Sequence, residues 1–279
     1  MRIAILCDIH GNIHAFEAVL ARVASQSPDA LIIAGDIVVG CADSDLCWQR
    51  ALDMDCAILR GNHERYLCEL ARGQADPAWQ DDQYAPARWS CDQLGVNTCC
   101  GFAGLPMQIQ PAEDLLVVHA SQRSDRDTVR PYMDDNELQR MFCAAPPRLV
   151  VRGHNHYPQT QLWSGGRIVT AGSVGLPMDG NPTAQYALLD RTANGWEVYH
   201  QSVPYNRDAA IARFYDTGYL AQCGPIAELF LRELVSASQQ IVPFLNCYER
   251  WKKEEPISLD AAFRRYMGSA HSAQWETFL

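Results

Sequence analysis

Apolar and polar positions alternate along this chain in blocks. Residues 3–7 (Ile-Ala-Ile-Leu-Cys) are a continuous apolar run, as expected of a strand buried on both faces, and a polar turn from Asp8 to Asn12 follows. Phe16, Val19, Leu20 and Val23 then recur at helical spacing behind Asn12 as N-cap. Leu31-Ile32-Ile33-Ala34 is a second apolar run. Strand, helix and strand within about 30 residues make a βαβ unit, with parallel strands and a right-handed crossover. The pattern continues with a helix near Asp45 to Met54, a short strand Ala57 to Leu59 and a helix from His63 to about Arg72.

Residues 73–86 are polar and broken by proline, which predicts a surface excursion, followed by a short helix through Trp89 to Leu94. From Phe102 the blocks shorten. Strands are predicted at Met107 to Gln110, Leu115 to Val118, Leu149 to Val151, Arg167 to Thr170, Tyr186 to Leu189 and Trp196 to Val203. A helix from Asp134 to Cys143, with acidic residues in its first turn, is stopped by Pro146-Pro147. Short strands separated by Gly, Asn and Asp predict a second sheet with antiparallel pairing. Past Tyr205 only helical periodicity remains, interrupted by Gly224-Pro225, Pro243 and Pro256, with Ser258 capping a last helix from Leu259. The chain therefore divides into an α/β domain over residues 1–204 and a helical extension over 205–279.

Strand after strand runs into the same kind of residue. Asp8-Ile9-His10 follows the first strand, Gly35-Asp36 the second, Arg60-Gly61-Asn62-His63-Glu64 the third, His119 another and Gly153-His154-Asn155-His156 a fifth. In an α/β sheet that edge is where ligands bind. Of the eight histidines in the chain, five lie in this set, which chance scattering after apolar runs does not explain. Oxygen and imidazole donors without thiolates suit Mn, Fe, Zn, Ni or Mg rather than a structural zinc or iron–sulfur site. A single carboxylate can bridge two such ions about 3.5–4 Å apart, and Asp36 is the natural bridge.

Composition narrows the partners. With 48% hydrophobic and 20% charged residues the chain reads as a soluble globular protein, and its net charge of −10 argues against general nucleic-acid binding. A small phosphorylated ligand stays open, because a local metal cluster outweighs a diffuse acidic surface. No apolar run reaches the roughly 18 residues of a membrane span. An expected ligand already at residue 8 leaves no room for a cleaved signal peptide, so a cytoplasmic protein is expected. The eleven cysteines are odd in number and lack a C-x-x-C spacing, which predicts reduced, mostly buried thiols. No role is assigned to the neighbours Cys99 and Cys100.

The ordered set Asp8-x-His10, Gly35-Asp36, Gly61-Asn62-His63-Glu64, His119 and Gly153-His154-x-His156 resembles the calcineurin-like metallophosphoesterases over residues 1–204. The resemblance implies a four-layer αββα sandwich with two divalent metal ions at the carboxyl ends of its strands. It implies Asp8, His10 and His156 on one ion, Asn62, His119 and His154 on the other, and Asp36 between them. It further implies one-step phosphoester hydrolysis by metal-bridging hydroxide, with His63 as general acid and residues 1–204 as the catalytic domain.

Arg60 is expected either to clamp a non-bridging oxygen or to form a surface salt bridge. Arg123 and Arg126 are expected either to read a second phosphate or to pair within their own loop. Glu64 is expected to favour its helix N-terminus rather than to bond an imidazole.

Arg60 to Glu64 matches the Ser/Thr protein phosphatases, but Asp36 is followed by Ile-Val-Val-Gly where those enzymes carry Asp-Arg-Gly, and His119 by Ala-Ser rather than Gly-Gly. The chain is therefore more similar to the compact bacterial phosphoesterases. Its substrate, a nucleotide, another diester or a phosphoprotein, stays open. Two other classes compete: a non-catalytic metal- or nucleotide-sensing protein acting through its helical tail, and a thiol-based redox-responsive protein. Filled ligand positions and a retained His63 speak against the first, and cysteine spacing lends nothing to the second. The tail is expected to cover the site mouth, pack on the sheet or build a homo-oligomer.

Overall fold

The computed structural model describes residues 1–142 and 148–269. The end expected for the helix through Cys143, and its Pro146-Pro147 stop, lie outside the described residues. Strands β1 (Arg2–Leu6), β2 (Ala30–Ile33) and β3 (Ala57–Ile58) come first, with helices α1 (Ile13–Gln26), α2 (Ser44–Leu52) and α3 (Asn62–Ala71) after each in turn. Helices α4 (Ala85–Leu94) and α5 (Val96–Gly101) precede β4 (Gln108–Ala112), β5 (Leu115–Val118) and α6 (Asp135–Phe142). Then follow β6 (Leu149–Arg152), β7 (Gln159–Trp163), β8 (Gly166–Thr170), β9 (Ala184–Thr192) and β10 (Gly195–Val203). The tail is α7 (Arg207–Asp216), α8 (Tyr219–Ser236), α9 (Ile241–Glu254) and α10 (Leu259–Met267).

The strands form two five-stranded sheets, ordered β10-β9-β1-β2-β3 and β4-β5-β6-β8-β7. The predicted βαβ unit is present, with β1 and β2 parallel and Ile5 opposite Ile32. In the second sheet β5, β6 and β8 are parallel, so antiparallel pairing there is confined to the edges β4 and β7. Strand β7 was not expected, because its edge position leaves alternate residues exposed and its sequence polar.

Ile3, Ile5 and Ile32 from one sheet pack against Val117, Val151 and Val169 from the other, all nearly or fully buried. Two-sided burial is why these strands read as continuous apolar runs; each such side chain contributes roughly 2 kcal/mol. Helix α1 covers the outer face of the first sheet through Phe16, Val19 and Leu20. Helix α6 covers that of the second through Leu138 and Phe142. The layers are therefore αββα, and the parallel strands of both sheets end at one pole.

Tail helices pack through Phe214, Tyr219, Phe244 and Tyr266 into a cluster of their own that also takes in Cys41, Ala42 and Leu176. Gly224, with φ 55° and ψ −138°, kinks α8 as its glycine–proline pair predicts. Pro243 does not interrupt the tail: it sits in the first turn of α9, where its missing N–H costs nothing. Ser258 caps α10 through Oγ to the Ala261 amide at 3.3 Å. Among the described residues all cysteines are free thiols, and no helix is long and apolar enough to cross a membrane.

Candidate metal centre

Three of the strands that end at the shared pole, β1, β2 and β6, deliver their polar turns there under backbone strain. Among the described residues nine non-glycine positions have left-handed φ, and five of them are Asp8, His10, Asp36, His154 and His156. Such a conformation costs roughly 1–2 kcal/mol per residue and persists where the surroundings over-determine it. Close approach also fixes the glycines. A Cβ on Gly61 would collide with Asp36 Oδ1, and one on Gly153 would come within 2.5 Å of Asp8 Oδ2.

Asp8, His10 and His156 bring their donor atoms together, as do Asp36, His119 and His154. Asp36 Oδ2 lies 3.9 Å from His10 Nε2 and 3.2 Å from His119 Nε2, so it stands between the two groups. Asn62 Oδ1 completes the second group at 3.1 Å from His119 Nε2.

The imidazole tautomers show that the residues fit a cation. His10 Nδ1 bonds Val39 O at 2.6 Å and His156 Nδ1 bonds Leu176 O at 2.7 Å. A carbonyl only accepts, so each Nδ1 carries the proton and each Nε2 is a bare lone pair. Those two lone pairs face each other at 2.9 Å, with Asp8 Oδ1 3.6 Å from His156 Nε2. Burial pushes both imidazoles toward the neutral form, His10 down to about 4 and His156 well below its ordinary value, helped by their proximity to other imidazoles. Three acceptors converging on one point call for a cation.

In the second group His119 Nδ1 bonds Ala34 O at 2.9 Å, and its Nε2 faces two oxygens. Burial opposes its charge, yet the Asp36 carboxylate holds it up at about 9. His154 is pinned differently, its Nε2 at 3.1 Å from Arg126 O.

His63, on the first turn of α3, has its Nε2 4.0 Å from Asp36 Oδ2 and its ring edge-on to His10 at 5.0 Å. Its backbone N–H holds Asp36 Oδ1 at 2.8 Å. The side chain is 23% exposed, so it meets solvent while touching the centre.

The arginines divide. Arg60 is half-buried, and among the described residues its buried Nε has no hydrogen-bond partner. Arg123 is exposed and paired with Asp127 at 2.8 Å within its own loop. Arg126 is exposed and near enough to Tyr66 for its charge to oppose the burial that raises that phenol, and the Tyr66 ring stands edge-on to His63 at 5.5 Å.

Two supporting roles escaped the sequence reading. Glu64 acts on its helix terminus as expected, accepting the N–H of the N-cap Gly61 at 2.8 Å, but its fully buried carboxylate also accepts the N–H groups of Asp36 and Ile37 at 2.9 and 2.7 Å, which the sequence did not foretell. It thereby clamps the turn that carries Asp36. Arg152, fully buried at the end of β6, donates to Ala120 O, Asp127 O, Thr170 Oγ1 and Asn155 Oδ1, tying the His154–His156 turn to the loop after His119. A charged residue ending the apolar run Leu149-Val150-Val151 was its one signal.

Comparison with known proteins agrees with this geometry. The sequence profile of the calcineurin-like phosphoesterases matches residues 1–158. The chain belongs to that family. This calcineurin-like phosphoesterase is 24% identical over 208 residues to the uncharacterized protein MJ0912 of Methanocaldococcus jannaschii, covering 67% of this chain and 82% of that one. Its fold is similar to a metallophosphoesterase from Sphaerobacter thermophilus, with a TM-score of 0.64 and 24% identity over 85% of this chain and all of the other. It is also similar to protein PH1004 from Pyrococcus horikoshii, with a TM-score of 0.65 and 17% identity over 82% and 97% of the two chains.

Proposed function

We propose that this calcineurin-like phosphoesterase hydrolyses a phosphate ester at a dinuclear centre, with Asp36 shared between two divalent ions. The facing lone pairs of His10 and His156 at 2.9 Å carry the reading, together with the parallel cluster around His119 on the other side of Asp36. When bound, the ions would acidify a water for attack on phosphorus and neutralise the phosphoryl oxygens. Asp8, His10 and His156 would hold one, and Asn62, His119 and His154 the other.

His63 is the proton donor to the departing oxygen. Its ring is half-buried at the centre, and burial with neighbouring imidazoles lowers its proton affinity against the pull of Asp36. An arriving phosphate adds negative charge and restores that affinity, so the proton is held where it is needed. Arg60, with its unpartnered Nε, is assigned to a non-bridging oxygen. Arg126 lies on the His63 side of the mouth through Tyr66, and it is assigned to the substrate in preference to Arg123, whose guanidinium Asp127 already occupies.

The test is hydrolysis of bis-p-nitrophenyl phosphate and p-nitrophenyl phosphate by protein stripped of metal and reloaded with Mn²⁺. Metal-restored turnover of either ester is expected, and the preferred ester decides between diesterase and monoesterase. His63→Ala should lower kcat by about 10²–10⁴-fold with metal content unchanged. No turnover with any divalent ion would favour a non-catalytic protein.

A further inference from the structure

A cavity of about 370 Å³ lies against the turn that carries His154 and His156. Asn155 and Tyr157, the chain neighbours of His156, both line it, and so does Met178, whose N–H bonds His156 O at 3.1 Å. The residues that flank and hold the backbone of the expected ligand His156 therefore form one side of the cavity.

Its frame is rigid. The Asn155 side chain holds both the N–H and the carbonyl of Val129, and Gln159 adds a second bond to that carbonyl at 2.9 Å. Ser238 and Gln239 of the tail line the cavity too. Their turn is fixed by the buried Glu233 carboxylate, which accepts the Gln240 and Ile241 N–H groups at 2.8 and 3.0 Å. A bond from Gly180 N–H to Ala237 O at 2.9 Å docks it on the loop that follows Met178.

The lining chemistry selects an anion. In a chain of net charge −10 the cavity is lined by no carboxylate, and its one cation, Arg130, has no ion-pair partner among the described residues. Arg123, in the same stretch of chain, is by contrast taken by Asp127. Tyr157, 48% exposed, and the Met178 thioether offer surface to a planar ring. A larger cavity, about 720 Å³, lies among the tail helices and carries Glu228, Asp260 and Arg232, the last already paired with Glu228 at 3.1 Å, so its charge does not favour an anion.

We propose that the smaller cavity binds the part of the substrate retained after cleavage, a nucleoside-like group bearing a second phosphate that Arg130 pairs. The proposal rests on the phosphoesterase reading, since it takes the first phosphate to be at the metal centre. It also gives the tail a task, that of walling a substrate site.

Direct binding separates the two. Affinities of Mn²⁺-loaded protein for inorganic phosphate, AMP and α,β-methylene-ADP are measured by calorimetry in the wild type, Arg130→Ala and Tyr157→Ala. The methylene-ADP should bind about tenfold or more tightly than AMP, the scale of one charge-assisted hydrogen bond, and Arg130→Ala should erase that margin. Tyr157→Ala should weaken both nucleotides and spare phosphate. A margin absent in the wild type, or undiminished in Arg130→Ala, overturns the proposal, as does an equal loss for all three ligands, which would put Arg130 at the metal centre. The expected margin in a protein that hydrolyses neither nitrophenyl ester would leave the cavity standing and remove the catalytic reading.

Discussion

The two halves of the candidate metal centre are built to different tolerances. In the half made by Asp8, His10 and His156, both imidazoles are oriented through Nδ1 by carbonyls, Val39 O and Leu176 O. The tail grips the segments that carry those carbonyls. Tyr219 donates its hydroxyl to Gly40 O at 2.8 Å, Arg213 pairs with Asp43 at 2.6 Å, and Leu176 is buried in the tail cluster. In the other half His119 is oriented by Ala34 O at the end of β2, but His154 leans on Arg126 O, in a solvent-facing loop that the tail does not touch through these bonds. The first half thus has both imidazoles oriented by segments that the tail grips, whereas the second has one of its two, His154, oriented by a surface loop. Partners of this kind are worth about 10–100-fold in metal affinity.

The largest expected effect removes the residue common to both halves. Asp36→Ala should abolish binding of both ions and lower turnover by at least about 10³-fold, the scale of losing preorganised charge at the reacting centre. Metal analysis that still finds one tight ion would show the halves to be independent. Next, His10→Ala and His154→Ala divide the centre. The first should lose the tighter ion and not recover in excess Mn²⁺, whereas the second should recover much of its activity as Mn²⁺ is raised. Equal recovery of both variants would erase the comparison.

A smaller effect concerns the tail's own clamp. Burial raises Glu233 from 4.5 to about 7, against the two N–H groups it accepts. Between those values the folded state holds the extra proton, so this group's contribution to stability falls as pH rises from about 4.5 to 7, by roughly 3 kcal/mol in all. The wild type should therefore lose stability relative to Glu233→Gln between pH 5 and pH 8 in denaturant unfolding. A difference that stays flat with pH would mean that Glu233 is not buried as described.

The smallest effect sharpens the contrast most. Tyr219→Phe deletes one buried bond behind Val39, worth about 1 kcal/mol or roughly fivefold in affinity. It should weaken the ion held by His10 and leave the other unchanged. A shift in the second ion instead would refute the link between the tail and the first half.

Much of this was legible in the sequence, for identifiable reasons. Asp8, His10, Asp36, Asn62, His63, His119, His154 and His156 each stand a few residues past an apolar run, and strand ends gather them at one pole without long-range knowledge. The helix-terminus role of Glu64 was legible, but its hold on the Asp36 and Ile37 amides was not, because they lie 28 and 27 residues away and close on it only in the folded chain. The tail was legible as helices, since spacing and the Gly224 kink are local, but its grip on residues 40–43 rests on contacts across more than half of the chain's order, and that on Leu176 on contacts between separate units of the chain. The edge strand β7 stayed hidden because one exposed face removes the apolar signal.

Metal stoichiometry tests the central claim most directly. Stripped protein titrated with Mn²⁺ should bind two ions per chain in two resolved steps, the tighter lost in His10→Ala and the weaker in His154→Ala. Saturation at a single ion per chain, with both variants losing that same ion, would contradict a shared dinuclear centre.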